Sequence, residues 1–115
     1  MSDLFSDALS RVSRVSGVRG AMIVETDGGV PVLSELTEGV EGTAVAALAS
    51  SLFRRTDQAA STAEFGNVQT MQLEAEGGHV IVCNAGEVLI VVIAEKTAQL
   101  GLVRLEAHRA AEALR

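Results

Sequence analysis

The sequence predicts an α+β fold whose elements follow one another as α-β-β-α-β-β-β-α. Three observations carry this. Apolar residues recur at helical spacing near both ends and in the middle of the chain. The short extended runs between them are separated by Asp-Gly and Gly-Gly steps, and one run, Val88 to Ala94, is apolar on both faces. Hairpin-length turns join most strand pairs, so a five-stranded, mainly antiparallel sheet is expected. At 115 residues, 48% of them apolar, the chain has the size of a single domain spanning residues 1–115.

Helix one is expected from Leu4 to Val15, where Leu4, Phe5, Ala8, Leu9, Val12 and Val15 form one stripe. Ser2 and Asp3 can cap its start, and Gly17 can take the left-handed conformation that ends it. Gly20–Thr26 and Val30–Leu36 flank Asp27-Gly28-Gly29 and read as a hairpin, with Pro31 placing the second strand at a sheet edge because it has no N–H to donate. Helix two is expected from Thr43 to about Glu64. At 100° per residue, Val45, Leu48, Ala49, Leu52, Thr56, Ala59 and Ala63 share the face assigned to the sheet. Ala47, Ser50, Arg54, Asp57, Gln58 and Ser61 lie opposite, with Ala46 and Phe53 on the flank.

Val68–Ala75 alternates apolar and polar residues and forms the third strand; His79–Asn84 is the fourth and Val88–Ala94 the fifth. The fifth should be central, since both of its faces need cover. Thr97 is placed to cap helix three, whose buried stripe is Leu100, Val103, Ala107, Ala110, Ala111 and Leu114.

Composition removes several functional classes. Nine basic against 15 acidic residues give a net charge of −6, which opposes binding to nucleic acid or to an anionic membrane. No run approaches a membrane span, and the acidic start of the chain is unlike a secretory signal. With the solitary thiol of Cys83, this points to the cytoplasm. The glycine pairs at 28–29 and 77–78 do not precede Lys-Ser/Thr at a helix start, so they are turn glycines rather than a phosphate loop. His79 and His108 have no ligand partners at metal spacing, and Cys83 in an apolar strand reads as a small hydrophobe with a raised pKa. No catalytic residue, cofactor or metal site is therefore assigned, and a binding or assembly role remains. On helix two, Ala46, Ala47, Ser50 and Ser51 are small enough to admit another helix, with Phe53 as a neighbouring anchor. The alternative reading is a solvated helix that uses Ala and Ser for their propensity.

The pattern resembles the roadblock / dynein light chain family over essentially the whole chain. The resemblance is carried by Val18-Arg19-Gly20-Ala21-Met22-Ile23-Val24 with Asp27-Gly28, by Ala44-Val45-Ala46-Ala47-Leu48-Ala49, by Val88–Ala94 and by Leu100-Gly101-Leu102-Val103-Arg104-Leu105-Glu106. It implies a roadblock / profilin-like fold, with helix two on one sheet face and helices one and three on the other. It also implies dimers in which helix two pairs with its counterpart and the third strands meet edge to edge. Under it, the partner contacts fall on Ala46, Ala47, Ser50, Phe53, Arg54 and Asp57 of helix two and on Met71 and Leu73 of the third strand. The implied partners are a second copy of the chain and a Ras-like small GTPase, which a dimer would regulate by positioning the GTPase's own switch segments. The other implied role is a dimeric scaffold in a signalling or motility assembly, without effect on nucleotide turnover. An arginine finger at Arg54 or Arg55 is not something the resemblance supplies.

Overall fold

The computed structural model describes residues 2–115, without the side chains of Ser2 and Asp3, so the cap expected of those two lies outside the described residues. The elements are α1 (Ser2–Ser13), β1 (Val18–Glu25), β2 (Pro31–Leu36), α2 (Gly42–Thr62), β3 (Thr70–Ala75), β4 (Gly78–Asn84), β5 (Val88–Ala94) and α3 (Leu100–Leu114), in the order read from the sequence. The strands lie side by side as β2-β1-β5-β4-β3, and every neighbouring pair is antiparallel. Pro31 sits on edge strand β2 and β5 occupies the centre, both as expected.

The two-sided character of β5 organises the interior. Leu89 and Val91 point to one face and Ile90 and Val92 to the other, and all four are fully buried. On the second face, Ile90 and Val92 join Ala21, Ile23, Ile81 and Cys83 beneath α1 and α3, which contribute Leu9, Val12, Val103, Ala107, Ala110 and Ala111. On the first face, Met22, Val24, Val82, Leu89 and Val91 lie beneath α2 alone. One face is therefore closed by a helix pair and the other by a single helix.

Several boundaries differ from expectation for identifiable reasons. β3 begins at Thr70 rather than Val68, because the Val68 N–H donates to Asp57 Oδ1 (2.8 Å) and its carbonyl accepts from Asn84 Nδ2 (3.0 Å) instead of joining the ladder. Thr97 does not cap α3. It lies inside a turn closed by the bond from Ala98 N–H to the Glu95 carbonyl (3.0 Å), and Gln99 takes the cap position without a side-chain bond. α1 ends at Ser13, with Gly17 following at φ +90° as anticipated.

The end of α2 has a well-defined stop. The N–H of Glu64 donates to the Ser61 carbonyl (3.0 Å) and that of Phe65 to the Ala60 carbonyl (2.9 Å), while Glu64 adopts φ +68°. This is a Schellman motif, in which the left-handed position is ordinarily a glycine. Two outcomes follow for stability, each read from urea denaturation. Ile90→Ala should cost about 2–5 kcal/mol, since it opens a cavity in the densest layer. Glu64→Gly should raise stability by up to about 1 kcal/mol, because it removes the left-handed penalty while leaving both capping bonds in place.

Candidate functional site

The surface of interest is built on α2. Its inward stripe consists of Ala46, Ala49, Ser50 and Phe53, all buried against the sheet. This corrects the helix orientation expected from sequence, which turned Ser50 outward and left Ala46 and Phe53 on a flank. Ala46 is 0% exposed, Ser50 2% and Phe53 3%, so their burial is complete within one chain and they are not open to a partner. The β1–β2 turn supplies the reason. Gly29, at φ +69°, approaches α2 so closely that a Cβ there would lie 2.5 Å from Ser50 Oγ. The small residues of α2 admit this turn, and the Ser50 hydroxyl donates back to the Ala47 carbonyl (3.4 Å). Phe53 is the bulky member of the stripe and packs in the cluster containing Val82, Leu89 and Val91.

Ala49 faces the sheet as expected, but the other apolar residues assigned to that face form a second stripe, roughly 100° around the helix from the first. Of these, Val45 and Leu52 are half-buried, while Leu48 is 43% exposed. This flank points toward β3: Val45 packs on the edge of the sheet cluster, and Thr56 Oγ1 lies 3.6 Å from Met71 Sδ. Below it, the strand register aligns Leu73 with Val80 and Val80 with Ile93, giving a row across β3, β4 and β5 that is only half-buried. Helix flank and sheet row together make up a partly covered apolar surface, the trough. It runs beside β3, which pairs with β4 only and so presents a free edge.

The remaining expected contact residues divide around this trough. Met71 and Leu73 lie in its floor. Asp57 stands at its end and clasps the entrance of β3 through Val68. Ala47 and Arg54 are exposed on the other flank of α2, where Arg54 Nε donates to the Ser50 carbonyl (3.3 Å). Leu48, Leu52, Val80 and Ile93 were not assigned to the surface by sequence reasoning. A signal for the helical pair was present, since α2 carries apolar stripes on two faces and its own sheet uses one.

Nothing else gathers into reactive chemistry. Among the described residues, no three His, Cys, Asp or Glu side chains come together as a metal site, and no helix is long and apolar enough to cross a membrane. Cys83 is buried, and desolvation pushes its thiol above the usual range; Thr70 and Arg115 oppose this only in part. His108 lies on the exposed side of α3, where Nε2 meets Thr70 Oγ1 at 3.1 Å. An open cavity of about 550 Å³ lies between the start of α1 and the end of α3. On its polar walls Arg115 donates to Gln69 Oε1 and the Asn84 carbonyl, and Asn84 bridges Val68 and Gly86.

Comparison with known proteins follows the same lines. The chain is 32% identical over 107 residues to an uncharacterized protein of Methanocaldococcus jannaschii, MJ1340, covering 93% of each chain. Its structure is similar to that of the gliding protein MglB from Thermus thermophilus, with a TM-score of 0.85 at 25% identity over 97% of this chain and 86% of that one. A Roadblock/LC7 domain from Streptomyces avermitilis shares the fold with a TM-score of 0.82 at 21% identity, covering 100% of this chain and 94% of that one. A further MglB structure, described as having a tetrameric arrangement, has a TM-score of 0.86 at 26% identity, covering 97% of this chain and 85% of that one. The sequence model of the Roadblock/LC7 domain matches residues 4–94, and the chain belongs to that family.

Proposed function

We propose that the protein is a dimeric regulator that binds a Ras-like small GTPase. The observation that carries this reading is the trough itself: a second apolar stripe on α2, set over the half-buried row Leu73–Val80–Ile93 and beside the free edge of β3. A solvated surface has no use for leucine, valine and isoleucine side chains aligned in a row. A second copy of the chain satisfies all three features at once. Its α2 flank packs against this one, and its β3 extends the ladder, so that backbone groups otherwise left to water become paired. Similarity to MglB structures, one of them tetrameric, supports an assembling role, and membership of the Roadblock/LC7 family supports regulation over catalysis.

The chemistry of GTP hydrolysis would then remain with the GTPase. The dimer acts by positioning, holding switch segments in an arrangement that favours or disfavours attack by water. One observation favours a second reading, a scaffold that leaves turnover unchanged. The trough is apolar, and Arg54 on α2 is engaged with its own helix through the Ser50 carbonyl.

Two measurements test these readings. Leu48→Asp adds a charge to the trough at a position already 43% exposed, so folding is retained. It should convert a dimer to a monomer in sedimentation velocity, whereas Ala47→Arg on the other flank should leave the dimer intact; a dimer indifferent to Leu48→Asp removes the trough from the interface. Single-turnover GTP hydrolysis by a Ras-like GTPase from the same source should change when the wild-type chain is added and return to its basal rate with Leu48→Asp. Binding with an unchanged rate would establish the scaffold.

A further inference from the structure

α2 is longer than the surface it covers. Its 21 residues extend about 31 Å, whereas five strands at about 4.8 Å spacing measure roughly 19 Å between the outer strand axes. No α2 residue after Phe53 is buried. Beyond Asp57, whose carboxylate holds the entrance of β3, Gln58, Ala59, Ser61 and Thr62 are all exposed. The final turns therefore overhang the sheet. At their tip the Schellman bonds fix the direction of Phe65, whose ring is 85% exposed. In this motif the residue at Phe65's position commonly packs back onto the helix turn before it, but here the positions it would meet are Ala59 and Ala60, and Phe65 stays exposed. A rigidly presented phenyl group with no cover in its own chain is an anchor without a pocket.

A partly covered apolar surface lies at the other end of the same sheet face. The half-buried row Leu73–Val80–Ile93 lies toward the end where β3 finishes and β4 begins, whereas the tip of α2 lies at the end where β3 begins. Within one chain the two cannot meet. A two-fold axis that pairs the β3 edges antiparallel sets the start of each β3 beside the finish of the other, and so brings each α2 tip over the other copy's row. Antiparallel packing of the two α2 flanks gives the same placement: with the helices crossing near Leu52 and Thr56, the tip of one comes level with Val45 of the other.

We infer that Phe65 is the reciprocal anchor of the dimer, each copy seating its ring on the half-buried surface formed by Val45, Val80 and Ile93 of the other. This rests on the dimer proposed above and assigns a residue to it that lies outside both α2 and β3. It also gives the strained stop at Glu64 a purpose, since that conformation aims the ring away from its own chain.

The test uses the full chain. Sedimentation equilibrium of the wild type and of Phe65→Ala should show the dissociation constant rising about tenfold or more, with Phe65→Leu recovering part of the loss. Far-UV circular dichroism should be unchanged, because the ring makes no contact on which its own fold depends. A photoreactive benzoylphenylalanine at position 65, in a mixture of isotopically light and heavy copies, should give adducts joining light to heavy peptides that contain Val45, Val80 or Ile93. A wild-type chain that stays monomeric at high concentration overturns the dimer itself. A dimer whose constant ignores Phe65→Ala, or whose adducts fall outside that surface, overturns the anchor and leaves the dimer standing.

Discussion

The constraint on which the structure depends is that β5 has no polar face. Leu89, Ile90, Val91 and Val92 are all excluded from water, so the sheet built around them requires cover on both sides. The chain meets this requirement unequally. The sheet is roughly 20 Å across and a helix with its side chains about 10 Å, so two helices close one face and one helix cannot close the other. α1 and α3 together complete the first layer, with alanines of α3 allowing close approach. α2 alone lies obliquely over the second, anchored at one side by the β1–β2 turn and at the other by Asp57. What it leaves half-covered is the ground on which the functional reading stands.

This arrangement leaves apolar side chains only partly covered on the α2 face of the sheet. The thiol is buried, and at the cavity between α1 and α3 Arg115 is bound to Gln69 and Asn84. That the same fold appears in a Roadblock/LC7 domain from Streptomyces and in MglB from Thermus, at 21% and 25% identity, agrees with a scaffold whose layers are maintained while the side chains vary.

The order of elements, the central place of β5 and the edge place of β2 were legible in the sequence because each follows from a local signal: helical spacing, two-sided apolarity, a proline without an N–H. The rotation of α2 was not. Its two apolar stripes are of similar strength, and the choice between them depends on Gly29 approaching Ser50 from a distant part of the chain, which no periodicity contains. Treating Ala46, Ser50 and Phe53 as a partner surface was the consequence, since smallness serves an internal turn as well as an external helix. The start of β3 escaped for a related reason: Asp57 and Asn84 capture the Val68 backbone through side chains whose partners lie far away in sequence. Thr97 had the chemistry of a cap but sits two residues too early.

The clasp between Asp57 and Val68 makes α2 and the entry to β3 one mechanical unit. A molecule that tilts the helix must also tug on the outermost strand, and a neighbour that grips that strand must steady the helix in return. In the proposed dimer, a load on the outer surface of α2 would therefore be felt at the outermost strand through this carboxylate.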